Sequence, residues 1–223
     1  MTDPVPCRLY LISPAQIEIS KFAVDVAAAL KSGDVACLLL RLPDAEDEAL
    51  RDAIRTIMPI CHDHDVALVI SERADIAAQM NADGVHVAKD QYPQARALVG
   101  ADRIVGVTSA RSRHAAMEAA ETGADFVGFT GAADFVTFAA DGDQQTAESG
   151  EIFALNEILE WWQGLIEIPC VALGQDLAGL SLTDCTNLAQ SGADFVAVGD
   201  IVWQYSDGPA AGVAAAISAI SVA

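Results

Sequence analysis

Four segments of the chain repeat one phrase: a helix-like run, a Gly or Asn, a small residue and an Asp, then an apolar strand. They read Ser32-Gly33-Asp34-Val35-Ala36-Cys37-Leu38-Leu39, Asn81-Ala82-Asp83-Gly84-Val85-His86-Val87, Gly123-Ala124-Asp125-Phe126-Val127-Gly128-Phe129 and Gly192-Ala193-Asp194-Phe195-Val196-Ala197-Val198. A Gly or Asn tolerates the left-handed backbone that stops a helix. A short polar turn then reverses the chain, and the near-continuous apolar run suits a strand buried on both faces. Such a chain stacks helix-strand units, and their number decides the architecture.

Eight strands are expected: Arg8–Ile12, Ala36–Arg41, Ala67–Ile70, Gly84–Val87, Ile104–Val107, Phe126–Phe129, Cys170–Leu173 and Phe195–Val198. Helical patterns fall between and after them, at Ile17–Leu30, Ala45–His62, Ile76–Met80, Pro93–Leu98, Arg113–Glu121, Ile152–Gln163, Leu182–Gln190 and Pro209–Ile220. Alternating apolar strands and helices argue for a parallel sheet. Eight such units in 223 residues predict a (β/α)8 barrel, a single α/β domain over 1–223, better than an open doubly wound sheet. No Gly-x-Gly-x-x-Gly follows the first strand, which counts against a dinucleotide fold. The stretch Thr130–Gly150 is long for a loop after a strand. In a barrel it would sit on the C-terminal face, where lids are found.

The charge is unevenly spread. The formal net charge is −20; all twelve Lys and Arg lie at or before Arg113, and sixteen Asp and Glu follow it. Such a surface repels phosphate backbones and anionic lipid, so neither nucleic acid nor membrane is expected as a partner. No apolar run reaches the ~18 residues of a membrane helix, and Met1-Thr2-Asp3-Pro4 lacks a signal-peptide pattern. Five scattered cysteines with no Cys-x-x-Cys read as reduced core residues of a cytoplasmic protein.

Arg8-Leu9-Tyr10-Leu11-Ile12, Ile104-Val105-Gly106-Val107-Thr108 and the last three repeats resemble, in order and spacing, the thiamine phosphate synthase/TenI superfamily. The resemblance implies a transferase of thiamine biosynthesis. It would join hydroxymethylpyrimidine diphosphate to thiazole phosphate and release pyrophosphate with Mg²⁺. TenI-type members aromatise the thiazole phosphate instead, using a His that is Ala110 here. Several motif positions depart from the family's pattern. Of its Gln-x-Arg-x-Lys after strand two, only Arg41 is kept. Its Asn-Asp after strand three reads Ser71-Glu72, and its Gly-Gln-Glu-Asp after strand four reads Ala88-Lys89-Asp90-Gln91. The pyrophosphate-contacting Ser is Thr108. The Thr-x-Thr-Lys loop has no Lys, the Gly-Gly after strand seven reads Gly174-Gln175-Asp176, and the Ser-Ala after strand eight reads Gly199-Asp200. A barrel without this activity, binding a small molecule or a protein, is the competing reading.

The candidate site lies at the strand C-termini. Arg41 and Thr108 are the candidate catalytic residues. Arg41, Thr108, Thr130, Gly174, Gln175 and Asp200 are the candidate substrate contacts, and Glu72 and Asp90 the candidate Mg²⁺ ligands. One or two carboxylates plus diphosphate oxygens suffice for Mg²⁺. The competing role for Glu72 is an ion pair with Arg73 or Arg41, and for Asp90 one with Lys89. Asp176 and Asp200 could cap the amides that family members offer to phosphate. Two like charges ~4 Å apart would oppose by roughly 1 kcal/mol in water and more when partly buried. His86 is expected as a hydrogen-bonded core residue. His62 and His64 read as a solvated helix end, Trp161-Trp162 as packing against the barrel or the partner in a homodimer, and Asp34, Asp83, Asp125 and Asp194 as structural turns on the opposite rim.

Overall fold

A computed structural model describes residues 6–130, 153–173 and 180–221. The strands are β1 Arg8–Ile12, β2 Val35–Leu40, β3 Ala67–Ser71, β4 Gly84–Ala88, β5 Ile104–Ser109, β6 Phe126–Phe129, β7 Cys170–Ala172 and β8 Phe195–Val198. They pair in parallel in sequence order, and β8 closes on β1. The expected eight-stranded barrel is what forms. Around it run α1 Ile19–Leu30, α2 Asp47–His62, α3 Ala74–Met80, α4 Tyr92–Val99, α5 Arg113–Glu121, α6 Leu155–Gln163, α7 Leu182–Gln190, a one-turn α8 Asp200–Trp203 and α9 Pro209–Ser221. The sequence pattern predicts all of these except α8, which is too short to show a period.

Local chemistry explains the helices. In α2, Leu50, Ala53, Ile54, Ile57 and Cys61 are buried at helical spacing, with Asp47 and Glu48 in the first turn and so at the positive end of the helix dipole. Helix α7 opens on a reciprocal cap: Ser181 Oγ accepts from Asp184 N, and the Asp184 carboxylate accepts from Ser181 N. The repeat phrase stops helices largely as expected, with Asn81, Gly123 and Gly192 at φ of 54°, 85° and 92°. Gly33 differs. It is not left-handed, and its value is space: a Cβ there would lie 2.2 Å from Ile217 Cδ1.

Two cores result. Alternate strand residues such as Leu9, Leu11, Leu38 and Leu40 pack outward against the helices. Tyr10, Ile12, Cys37, Leu39, Val69, Phe126, Val171, Leu173 and Ala197 form a separate inner cluster that fills the barrel. Trp162 packs on Phe129 and donates to the Ile168 carbonyl, so it belongs to the outer core. The cysteines are free, and all but Cys7 are fully buried. Burial pushes the Cys61 and Cys170 thiols up to about 12.

The repeated aspartates have a specific task at the N-terminal rim. Each of three sits just before an even-numbered strand and accepts a backbone N–H from the preceding odd strand. The bonds are Leu68 N to Asp83 (2.8 Å), Val105 N to Asp125 (2.7 Å) and Cys170 N to Asp194 (2.8 Å). The fourth, Asp34, takes the Arg8 guanidinium of β1 instead, in the open. His62, read as a solvated helix end, reaches Asp83 at 2.9 Å.

This difference sets an order of stabilities. Asp194→Ala strands the Cys170 N–H inside the rim and should cost about 1–3 kcal/mol. Asp34→Ala removes an exposed pair and should cost under about 1 kcal/mol. Urea unfolding of both variants beside the parent protein checks the order.

Candidate active site at the barrel mouth

The opposite rim gathers the strand ends. Ser13, Arg41, Glu72, Thr130 and Asp200 stand just beyond β1, β2, β3, β6 and β8. Asp90 and Gln91 lie in a tight turn after β4, and Thr108 near the end of β5. Strand alternation aims several of them. Cys37 and Leu39 face the barrel interior, so Arg41 continues that face, and Thr108 continues the face of Ile104. The structure thus brings Arg41, Glu72, Asp90, Thr108, Thr130 and Asp200 to one rim. Gly174, Gln175, Asp176 and the Thr130–Gly150 stretch beyond Thr130 lie outside the described residues.

Arg41 is held through its backbone. Its N–H donates to Ser13 Oγ at 2.9 Å, and Ser13 N donates to the Leu39 carbonyl at 2.9 Å. The sequence reading missed Ser13, although it carries the same signal as the others, the first polar residue after an apolar strand. Glu72 adopts φ +65°, a left-handed conformation unfavourable for a residue with a side chain. Its N–H donates to the His86 carbonyl at 2.9 Å, which fixes the turn out of β3. The Glu72 carboxyl is pushed up to about 8, chiefly by burial, with the Arg41 charge pulling the other way. Glu72 Oε1 and Gln91 Oε1 are both buried and accept no hydrogen bond.

Of the competing ion pairs, Arg41 acts on the Glu72 carboxyl as expected, whereas those of Glu72 with Arg73 and of Asp90 with Lys89 do not form. Arg73 turns away from Glu72 to Asp47 (2.7 Å) and Asp75 (3.1 Å). Lys89 reaches Glu118 of α5 at 2.6 Å and not the adjacent Asp90. Asp90 is exposed. Asp200 also departs from its expected role. Gly199 is the N-cap of α8, and no side chain caps that end. Asp200 is already in the first turn, where its carboxylate adds negative charge to the rim but does not cover the amides. Helix α8 is positioned by Trp203, which donates to the Ile12 carbonyl at 2.6 Å and meets the Phe22 ring edge-on.

Below the mouth, His86 is buried in the barrel between two hydroxyls, as a hydrogen-bonded core residue. Tyr10 Oη lies 3.0 Å from Nδ1 and Thr108 Oγ1 3.1 Å from Nε2. Burial holds the imidazole neutral, its pKa pushed down to about 4, with the Val107 backbone acting in the other direction.

Residues 9–202 match the sequence model of a family described as thiamine monophosphate synthase. The chain belongs to this family. It is 47% identical to the thiamine-phosphate synthase of Rhodospirillum centenum over 216 residues, 96% of each chain. It is 40% identical to that of Hyphomonas neptunium over 226 residues, again 96% of each. Among solved structures, thiamine phosphate pyrophosphorylase from Pyrococcus furiosus superposes with a TM-score of 0.75 at 21% identity, covering 96% of this chain and 95% of that one. That likeness concerns the barrel alone. Among the described residues, no helix is long and apolar enough to cross a membrane, and no group of three or more His, Cys, Asp or Glu could hold a metal ion.

Family membership leaves Glu72 with a measurable signature. A folded pKa of about 8 against the ordinary 4.5 of a glutamate means the folded state keeps a proton that the unfolded chain releases. This contribution to stability is complete below pH 4.5 and is lost as the pH rises through 8. Glu72→Gln mimics the protonated form. It should match the parent protein at pH 5 and exceed it at pH 9 by on the order of 1–2 kcal/mol, discounted for partial solvent screening. Urea unfolding at the two pH values decides the matter. Equal stability of variant and parent at pH 9 would refute the buried-carboxyl assignment.

Proposed function

We propose that this protein is a thiamine phosphate synthase, transferring the hydroxymethylpyrimidine group from its diphosphate to thiazole phosphate with release of pyrophosphate. The observation that carries this reading is 47% identity to a protein of that name over nearly the full length of both chains. The polar residues at the barrel mouth support it. In the transfer, the bond from the pyrimidine's methylene carbon to the diphosphate oxygen breaks, and a bond from that carbon to the thiazole nitrogen forms. The electron pair leaves with pyrophosphate, so the enzyme's work is to bind negative charge that grows on the leaving group.

Arg41 is the cation we assign to that charge. Its backbone is fixed by Ser13, and its guanidinium is close enough to influence the Glu72 carboxyl. Thr108, half-buried at the end of β5, supplies a neutral hydroxyl, and Thr130, Gly174, Gln175 and Asp200 complete the proposed substrate contacts. A Mg²⁺ bound with the diphosphate would neutralise the same growing charge. Glu72 fits as its ligand, since Oε1 is a buried oxygen with no donor of its own. Asp90, exposed on the neighbouring strand end, is the proposed second ligand. With so few protein carboxylates, diphosphate oxygens must supply the remaining coordination. Ala110 stands where TenI-type enzymes carry a His, which disfavours the aromatase reading. Free, buried cysteines fit a cytoplasmic location, and we keep a homodimer as part of the proposal.

A second reading has one observation in its favour: no Lys or Arg follows Arg113. On that view the barrel binds a small molecule or a protein without catalysing the transfer. Complementation of a thiamine-phosphate-synthase-deficient strain separates the two. Growth without thiamine is the expected outcome, and its absence would favour the binding module. With purified protein, EDTA should abolish product formation and Mg²⁺ should restore it. Arg41→Ala should lower the rate by about 10²–10³, the scale for losing one donor to a developing charge.

A further inference from the structure

The Tyr10–His86–Thr108 chain inside the barrel has a direction that hydrogen-bond counting reveals. A neutral imidazole has one N–H and one acceptor nitrogen, so at most one of the two hydroxyls donates to the ring and the other faces its N–H, for which the Val107 backbone is a further acceptor. Suppose Thr108 donates to Nε2. Then Nδ1–H donates to Tyr10, and the phenolic proton of Tyr10 is left over. Tyr10 is 2% exposed, stands among the apolar inner cluster, and has no other hydrogen-bond partner among the described residues. That arrangement buries an unbonded donor, which folded proteins avoid. The alternative leaves no donor unbonded in the apolar interior. Tyr10 donates to Nδ1, Nε2–H donates to Thr108 Oγ1, and the proton of Thr108 remains, at the half-buried end of the chain nearest the mouth.

The fold is shaped to hold this ring. Phe126 meets His86 edge-on with centroids 4.9 Å apart. A Cβ on Gly128 would lie 2.7 Å from Leu173 Cδ1, 3.1 Å from His86 Cε1 and 3.2 Å from Nε2, so a side chain there would crowd both the leucine and the ring. Gly106 does the same for Phe126, whose ring would meet a Cβ there at 2.0 Å. The small residues of β5 and β6 therefore exist opposite an aromatic stack that ends on Thr108.

We propose that His86 is a positioning residue: from the barrel core it fixes Thr108 as a hydrogen-bond donor aimed at the mouth, toward a diphosphate oxygen of the ligand. The identity of that ligand rests on the synthase reading, whereas the direction of the hydrogen bonds does not. Two measurements on the full chain test the proposal. Nitrogen NMR of the histidine rings at pH 7.5 reads the tautomer directly, with the His86 signal assigned as the ring that responds to Thr108→Val. A proton on Nε2 is expected; a proton on Nδ1 overturns the proposal, and this needs no variant of the ring itself. The second measurement is calorimetric binding of inorganic pyrophosphate with Mg²⁺ to the parent protein, His86→Phe, Thr108→Val and the double variant. His86→Phe should weaken binding about tenfold in the parent, yet less than about twofold when Thr108 is already Val, because coupled groups are not additive. Thr108→Ser should bind like the parent. An equal loss in both backgrounds would mean that His86 serves packing alone, and would overturn the positioning role. If the parent itself binds no pyrophosphate, the synthase reading and the diphosphate as target both fail, while the NMR result still decides the tautomer.

Discussion

An aspartate carboxylate that accepts a backbone N–H from the neighbouring strand is the contact on which this barrel's registration rests. Parallel strands joined by helices have no tight turn to set how far one strand slides against the next. Asp83, Asp125 and Asp194 supply that reference at the N-terminal rim, each tying an even strand to the odd strand before it. The Asp34–Arg8 pair does the same for β1 and β2 through side chains. A charge-assisted bond of this kind is stronger than a neutral one and directional. A slip by one residue would break it and turn the inner cluster outward at the same time.

Everything at the other rim inherits that register. With strands pinned below, alternation fixes which residues emerge above the lumen, and Arg41 and Thr108 do so. The interior between the two rims is not a passage. Tyr10, His86 and Phe126 fill it, accommodated by Gly106 and Gly128. The same solid packing that stabilises the barrel gives the mouth a rigid floor, with a polar chain embedded in it that ends on a hydroxyl. Strain enters at the edge of this floor, where Glu72 takes a left-handed turn and buries an oxygen without a donor. An unsatisfied, strained carboxyl next to an arginine is poor for stability and useful for holding a cation with an anionic ligand.

The charge distribution has a structural logic of its own. Basic residues of the N-terminal half serve as ion-pair partners, such as Arg73 with Asp47 and Asp75, Lys89 with Glu118 and Arg96 with Asp125. Arg41 is the basic residue that acts on the Glu72 carboxyl. Lys89 and Arg111 stand at the same rim, after β4 and β5, whereas the β8 side contributes Asp200.

The sequence by itself determined the barrel, because its signals are local: apolar runs of strand length, helical spacing, and a turn phrase repeated four times. It also placed Arg41, Glu72, Asp90, Thr108, Thr130 and Asp200 on one rim, since the residue following a parallel strand in this architecture has nowhere else to go. Tertiary structure alone decided the partners. Lys89 chooses Glu118 over the adjacent Asp90, Asp200 stands inside the helix that Gly199 caps, and Gly33 sits against the tip of Ile217 and does not use a left-handed backbone. Tyr10 and Thr108 meet at His86 from strands that lie 76 and 22 residues away from it. Those facts depend on distances between groups far apart in the chain, and such distances are set by closure of the sheet, which no local pattern encodes.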